Sequence, residues 1–546
     1  MNQKTKTSSP MLKINSLNYK DWLIASVLFT LTILSSLHYY TIFLLNLDEG
    51  IALYGAKRIL MGQTLYKDFF DIVTPGTDYL LAIIFKLFGT TLKSARITMI
   101  TANALNVAML MLISSKLIKE KIAIIPPVLL MLIYITDKDD MAVSHHQFVI
   151  TAMILTLLLL VKLNYEKSYK WIIPGISSFV VFIFLQSTGL TMYGLLCLLF
   201  FFRYVSKKNN KRHILNGFFY FSTGFMLPLM LVFMLFFISG GLKEFVYDVF
   251  IWPWGHYKIV NNGSFFNDMF QLSKIHHYSF ENLLLFFENI AIYFPALLLI
   301  LSFIYVCKAY YQKEALQPSL IFLLLILISM FISELVNLAI WRFAVYYPIF
   351  LVLIFVILKQ RIKDLVYKIF RIIGIVYITG GIIFIGLFCG KELSYYNTVG
   401  SHSIDMETSA GNVLVPVNVP KQFMPGMLPL FKAFNSGFPE NSFIIFWSPY
   451  IYFLTGTNNP TMLNTYVPLY NTKAQVSKVI RQLQQTKPEI VIIDGYLSEL
   501  KKEKYRNVDP EVFDISNDPL LSYIDHHYTL YKKIDNLFNI YKLSRD

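Results

Sequence analysis

Asp48-Glu49-Gly50-Ile51-Ala52-Leu53-Tyr54-Gly55-Ala56-Lys57-Arg58 follows closely on the first long apolar run of the chain, Trp22 to Leu45. That run is long enough to cross a bilayer, and two carboxylates at the mouth of a membrane span are costly unless they have a task. They open a polar, aromatic stretch that continues to about Gly89, far longer than a turn between two helices requires. Acids at a membrane surface inside a large loop point to chemistry on a substrate that arrives from the bilayer.

Outward from this stretch the composition repeats the message. The 546 residues are 55% hydrophobic and 16% aromatic but 15% charged, where a soluble chain carries about a quarter charged residues. Mean hydropathy is +0.53. Apolar runs of membrane-spanning length recur at 22–45, 94–115, 121–136, 147–163, 171–186, 188–202, 214–238, 286–307, 317–336, 343–358 and 366–388. The expected fold is a polytopic α-helical membrane protein of about eleven spans. Residues 1–21 are polar and lysine-rich, and the apolar run after them lacks a small-residue cleavage site, so it is expected to stay as a span.

Basic residues order the topology. Lys4, Lys6, Lys13 and Lys20 precede the first span, and Lys116, Lys119 and Lys121 separate the second from the third. Lys162, Lys167 and Lys170 follow the fourth, and Arg203, Lys207, Lys208, Lys211 and Arg212 follow the sixth. Lys308 and Lys313, then Lys359, Arg361, Lys363 and Lys368, complete the alternation. Every second connection is basic, which predicts a cytoplasmic N-terminus and an outer C-terminal region. The net charge of +14 is then mostly a topology signal and argues against a nucleic-acid partner.

This layout places 46–93, 137–146 and 239–285 outside as loops of a transmembrane domain over 22–389, with everything from 390 to 546 forming an external domain. In that last region polar residues, Pro and Gly return. Phe443 to Trp447 and Glu489 to Asp494 read as strands, Ala474 to Gln485 as an amphipathic helix, and Tyr528 to Lys532 with Phe538 to Lys542 as a hairpin around Asp535-Asn536. A small α/β domain is expected there, without a phosphate-binding glycine loop. Cys197, Cys307 and Cys389 all sit in or beside apolar runs, so no disulfide framework or cysteine-based zinc site follows.

Several short motifs occur in order. They are Leu47-Asp48-Glu49-Gly50, Tyr54-Gly55-Ala56-Lys57-Arg58, Tyr66-Lys67-Asp68-Phe69-Phe70-Asp71, Pro75-Gly76 and Phe88-Gly89, then Ser144-His145-His146 and Phe250-Ile251-Trp252-Pro253 with Tyr257. Tyr452-Phe453-Leu454-Thr455-Gly456, Asn459-Pro460, Tyr470-Asn471-Thr472 and Lys487-Pro488 follow. Together they resemble bacterial membrane glycosyltransferases related to the dolichyl-phosphate-mannose–protein mannosyltransferases (glycosyltransferase family 39, with the GT-C fold). Two positions depart from that pattern: Gln147 stands where an aromatic is common, and Gln186 where relatives often carry a Lys.

The resemblance implies a GT-C-like fold and an inverting transfer from a polyprenyl-phosphate-linked sugar at the outer face of a bacterial inner membrane. The acceptor would be a glycan, a lipid or a protein. A single displacement at an anomeric carbon needs a carboxylate to take the acceptor's proton and donors to hold the departing phosphate. By position in the motif Asp48 is the expected base, with Glu49 orienting it, keeping the field negative or contacting the acceptor. Asp139 or Asp140 resembles the second acidic position of GT-C enzymes, and His145, His146, Lys258 and Arg342 are expected to face the lipid phosphate, with Tyr257 stacking on sugar or isoprenoid.

Other readings stay open at this stage. Asp48 and Glu49 also suit the N-terminus of a helix starting near Gly50. His145-His146 and His276-His277 lack the i, i+4 spacing of a helical metal site, yet carboxylates that act as a base and carboxylates that hold a divalent cation look alike in a sequence. A lipid-linked glycan flippase or a glycan polymerase would share the lipid-linked substrate.

Overall fold

The computed structural model describes residues 17–37, 40–42, 46–118, 120–137, 140–162, 167–206, 211–255, 294–307, 318–334, 340–358, 365–401, 403–416, 439, 441–445, 448–466, 471–494, 518–534 and 538–544. The chain begins with α1 (Tyr19–Ser36), capped by Asn18, whose side chain and that of Asp21 each accept the other's backbone N–H. Two helices, α2 (Leu47–Leu60) and α3 (Gly76–Phe88), occupy the loop expected at 46–93. Then come α4 (Leu92–Ile118), a 3-10 turn leading into α5 (Ile125–Thr136), α6 (His145–Lys162), α7 (Ile172–Phe184), α8 (Gln186–Ser206) and α9 (Lys211–Ile238). The short α10 (Leu242–Val246) passes into a π-helical turn, Tyr247–Ile251. The apolar series closes with α11 (Phe294–Cys307), α12 (Pro318–Glu334), α13 (Ile340–Leu358) and α14 (Leu365–Ser401).

Helices α4, α6, α8, α9 and α14 are long and apolar enough to cross a membrane. Helix α9 leaves Phe219, Leu227, Met230, Leu235, Phe237 and Ile238 exposed, a face that water would not tolerate and lipid does. Its opposite face closes tightly on α7. A Cβ on Gly175 would come within 2.1 Å of the Phe221 carbonyl oxygen, so the two backbones touch as small residues allow in membrane bundles. The chain is a helical membrane protein.

Two boundaries differ from the sequence reading. Helix α1 stops at Ser36 rather than continuing to 45. Helix α14 runs on to Ser401 because polarity alone ends the apolar stretch, and no proline interrupts 365–401 to end the helix itself.

Beyond α14 lie a hairpin, β1 (Ser403–Thr408) with β2 (Gly411–Pro416), and a four-stranded sheet ordered β3-β4-β6-β5. Its members are β3 (Ser442–Ile445), β4 (Ile490–Asp494), β5 (Tyr528–Ile534) and β6 (Phe538–Leu543). Strands β3 and β4 run parallel, with Phe443 opposite Val491, and the remaining pairs are antiparallel. Among the described residues three helices accompany the sheet: α15 (Tyr450–Thr455), α16 (Lys473–Thr486) and α17 (Pro519–His527). Helix α16 opens on a Thr472–Gln475 capping box and closes on Lys487 in the left-handed region (φ 42), one residue before Pro488.

The period-two alternation of β3 and β4 decides what the sheet covers. Phe443, Ile445 and Val491 join Val476, Val479 and Leu483 of α16 and Leu520 and Ile524 of α17 in one apolar core. Ile444, Ile490, Ile492 and Ile540 face the other way, into a core shared with Leu53 and Tyr54 of α2, Leu81 and Phe85 of α3 and Ala95 and Met99 of α4. Strands β3 and β4 are covered on both faces, one of them by α2, α3 and α4, whereas β5 is exposed along most of its length.

Candidate active site at the first turn of α2

Helix α2 begins at Asn46, whose side-chain oxygen accepts the Glu49 N–H at 3.1 Å. The cap is therefore supplied by Asn46, and neither carboxylate of the first turn is needed for it. The turn is also pressed against the C-terminal region. A Cβ on Gly50 would come within 2.2 Å of Ser448 Oγ and 2.8 Å of the Tyr450 nitrogen, a close approach that requires glycine. Ser448 Oγ donates to the Asn46 carbonyl at 3.3 Å.

Glu49 points inward and is fully buried. Its carboxylate meets Arg96 of α4 in a two-pronged ion pair, Nε to Oε1 at 2.9 Å and Nη2 to Oε2 at 2.8 Å. The remaining donors of Arg96 serve the Tyr40 and Ile42 carbonyls and the Tyr450 hydroxyl. Glu49 Oε1 also accepts the Val143 N–H at 3.1 Å, which ties the turn before α6 to α2. Both Glu49 oxygens are thus engaged by Arg96 and Val143 inside the protein.

Holding Val143 against Glu49 brings the start of α6 to Asp48. The side chains of Asp48, His145 and His146, all half-buried, place one oxygen and two nitrogens within 4.8 Å of one another. The two imidazole rings lie 4.0 Å apart between centroids. Ser144 Oγ receives the His146 N–H and fixes the entry to the helix. Two imidazoles and a carboxylate are a donor set that suits a divalent cation such as zinc, so these three residues are the ones able to hold a metal here. The metal-ligand spacing is invisible in sequence because Asp48 joins the histidine pair from a different helix.

Asp140 differs from expectation. It is fully buried, its carboxylate accepts from Gln147 and its backbone oxygen accepts the Asn103 amide at 2.8 Å, so it builds the turn rather than facing a substrate. Asp139, Tyr257 and Lys258, with His276 and His277, lie outside the described residues. Arg342 is near the start of α13, and its side chain lies outside them too.

A second group of acids, missed in sequence, packs behind the site. Asp71, Asp78 and Asp248 are all buried. Burial pushes the Asp71 carboxyl up to about 6, with the charge of Asp48 adding to the rise against the Val73 and Ile72 N–H groups. Burial, then Asp71, raises Asp78 well above its ordinary range. Asp248 is pushed up to about 8 by burial and then by Asp71 and Glu244. Tyr66 here takes the left-handed region (φ 68), its ring packs against the stacked pair Phe236 and Phe245, and its hydroxyl donates to the Val73 carbonyl at 2.6 Å. Gln186, where relatives often carry a Lys, donates to the Ile72 and Val249 carbonyls at 2.8 and 3.1 Å and so stitches the first loop to the π-helical turn.

The rest of α2 is clasped by residues 450–464. Tyr54 stacks on Tyr452 at 4.9 Å and accepts the Asn459 N–H at 2.6 Å, and Lys57 reaches the Tyr452 carbonyl at 3.4 Å. Arg58 is buried among neutral oxygens: Gln63 Oε1 at 2.6 Å, Asn464 Oδ1 at 2.7 Å and the Thr461 carbonyl at 3.0 Å. The tyrosine and asparagine motifs of the C-terminal region thus serve as the seat of α2.

No protein-family model matches the sequence, and no curated protein matches it. Among solved structures, the crystal structure of ArnT from Cupriavidus metallidurans bound to undecaprenyl phosphate is similar over 96% of this chain and 98% of that one. Identity is 9% and the TM-score 0.52. The apo structure of the same protein covers 96% of this chain and 97% of that one at 10% identity, with a TM-score of 0.42. Over the matched part of the chain, the overall fold is similar to that of the undecaprenyl-phosphate-bound ArnT structure.

Proposed function

We propose that the protein is an inverting glycosyltransferase that moves a sugar from a polyprenyl-phosphate donor to a glycan, lipid or protein acceptor at the outer face of a bacterial inner membrane. The observation that carries this reading is the convergence of Asp48 with His145 and His146 within 4.8 Å, on a helix turn whose cap and ion pair are supplied by other residues. A protein of the same fold holds undecaprenyl phosphate, which supports a lipid-linked donor.

In this reading Asp48 takes the proton of the acceptor hydroxyl as that oxygen bonds to the anomeric carbon. The bond from that carbon to the phosphate oxygen breaks on the opposite face, so the anomeric configuration inverts and polyprenyl phosphate leaves. His145 and His146 present ring N–H groups to the charge that develops on the departing phosphate. Glu49 and Arg96 hold the turn in place, and Asp140 with Gln147 holds the turn opposite. A divalent cation bound at the three side chains would supply Lewis-acid stabilisation of the same charge.

The test is transfer by the purified protein in lipid from a panel of radiolabelled polyprenyl-phosphate sugars, beside Asp48→Asn. Transfer that falls at least about 100-fold in the variant, close to 2.7 kcal/mol of barrier, upholds the base. A wild-type protein that transfers from no donor but moves lipid-linked glycan across the bilayer refutes the enzyme and favours a flippase.

A further inference from the structure

We infer that the cavity at the far end of α2 is a binding subsite for an acidic glycan segment, a saccharide bearing carboxylate or phosphate groups. The cavity holds about 520 Å³, within the usual size of ligand sites. It opens between the first outer loop, which contributes Arg58, Gln63, Lys67 and Asp68, and the external domain, which contributes Lys478 and Gln482 beside the 459–461 turn.

Its hydrogen-bonding capacity is one-sided. Gln63 turns its oxygen to Arg58 and Gln482 turns its oxygen to the Met462 N–H at 2.9 Å, so both amides present NH2 groups as their remaining function. Several acceptors along the wall are engaged: Asn459 Oδ1 receives both the N–H and the hydroxyl of Thr461 at 2.9 Å, and Asp68 Oδ2 receives the Thr64 N–H at 2.6 Å, while the second Asp68 oxygen stays open among the described residues. Asn459 spends its own amide on the Leu463 carbonyl at 2.6 Å. What is left for a ligand is mostly donors, two amide NH2 groups and the ammonium groups of Lys67 and of Lys478 (the latter within electrostatic reach of Asp248), against one open oxygen of Asp68. Lys67 keeps one contact, to the Ser239 carbonyl at 3.0 Å, which leaves the rest of its three donors. Arg58, Lys67 and Lys478 against Asp68 make the lining positive by two charges. A donor-rich, positive, amide-lined cavity selects a ligand rich in oxygen acceptors and negative charge.

The subsite deepens the proposed transfer and rests on it in one respect, that such a segment would belong to the acceptor. Ten residues of α2 separate Asp48 from Arg58, about 15 Å at 1.5 Å per residue. A sugar held here is not the sugar at the base but one farther along the same glycan.

Binding is measured with no sugar donor present, using the full-length chain in phosphatidylcholine nanodiscs. The probes are tetragalacturonate and the uncharged maltotetraose, titrated calorimetrically against wild type and Lys67→Glu/Lys478→Glu. The expected result is tetragalacturonate binding at least tenfold tighter than maltotetraose and at least tenfold weaker in the double variant. An unchanged melting temperature in the variant confirms that it remains folded; Lys67→Gln/Lys478→Gln serves if it does not. Absence of tetragalacturonate binding, equal binding of both probes, or binding indifferent to the lysines overturns the subsite. So does loss of binding when phosphatidylglycerol is added to the nanodiscs, which would assign the cations to lipid headgroups. A chain that binds tetragalacturonate but transfers no sugar refutes the transfer alone, and one that transfers sugar without binding it refutes the subsite alone.

Discussion

The first and last turns of α2 each bury one charge, and they do so by opposite means. At the first turn Glu49 meets a full counter-charge in Arg96, with both side chains wholly excluded from solvent. At the last turn Arg58 hydrogen-bonds to neutral oxygens of Gln63, Asn464, Thr461 and the Asp68 backbone and lies over the Tyr54 and Phe69 rings. The Asp68 carboxylate is in electrostatic reach but not in a direct ion pair with it among the described residues. A buried ion pair is all-or-none, because removing one member strands the other in a low dielectric. A cation spread over several carbonyls loses one contact at a time. The rigid arrangement lies beside Asp48, the proposed base, and the adjustable one lies beside the cavity proposed to bind a glycan segment.

That contrast can be broken experimentally, starting where the effect is largest. Glu49→Ala strands Arg96 and is expected to cost about 3–5 kcal/mol, read as a collapse of the melting temperature in detergent. Glu49→Ala combined with Arg96→Met should recover most of the loss, and no recovery would refute the ion pair as the anchor. Asp48→Asn, one residue away, should leave the melt unchanged while transfer falls about 100-fold. A large drop in its melting temperature would instead make Asp48 structural.

At the other end, Asn464→Ala removes one of Arg58's oxygens and should cost about 1.5–3 kcal/mol. A loss as large as that of Glu49→Ala would erase the distinction between the two turns. The acids behind the site add a pH signature. Asp71 at about 6 and Asp248 at about 8 are raised above their unfolded values near 3.9. Each therefore contributes stability that is complete below about pH 4 and is lost as pH rises through its folded value. The melting temperature should fall by a few degrees between pH 5 and 9, and Asp248→Asn should remove the upper part of that fall. A flat profile in wild type would contradict their burial. The smallest effect is Asn46→Ala, about 1 kcal/mol for a lost cap, with Asp48 unable to replace it.

How much of this was legible in sequence depended on the range of the interaction. The apolar runs, the α16 helix with its Thr472–Gln475 box and the β5–β6 pairing are written in local patterns, and the structure contains them. The acidic turn of α2 was legible as well. Its partners were not: Arg96 lies 47 residues from Glu49. A sequence signal did exist, an arginine near the start of an apolar helix, which demands a partner. Asp140 misled because exposure cannot be read from a turn of acids, and Gln147, which holds it, sits in the following helix. The Asp71, Asp78 and Asp248 cluster was out of reach because its third member comes from a separate loop.

The clasp on α2 also imposes a schedule on biosynthesis. Arg58 and Asn464 are 406 residues apart in the chain. At a synthesis rate of 5–20 residues per second, the first-loop helix waits about 20–80 s for the residues that seat it. Until then α2 lacks the partners that cover Tyr54 and Arg58. Nascent chains halted before residue 448 should therefore carry a protease-sensitive first loop, and the loop should become resistant only once the C-terminal region has been made.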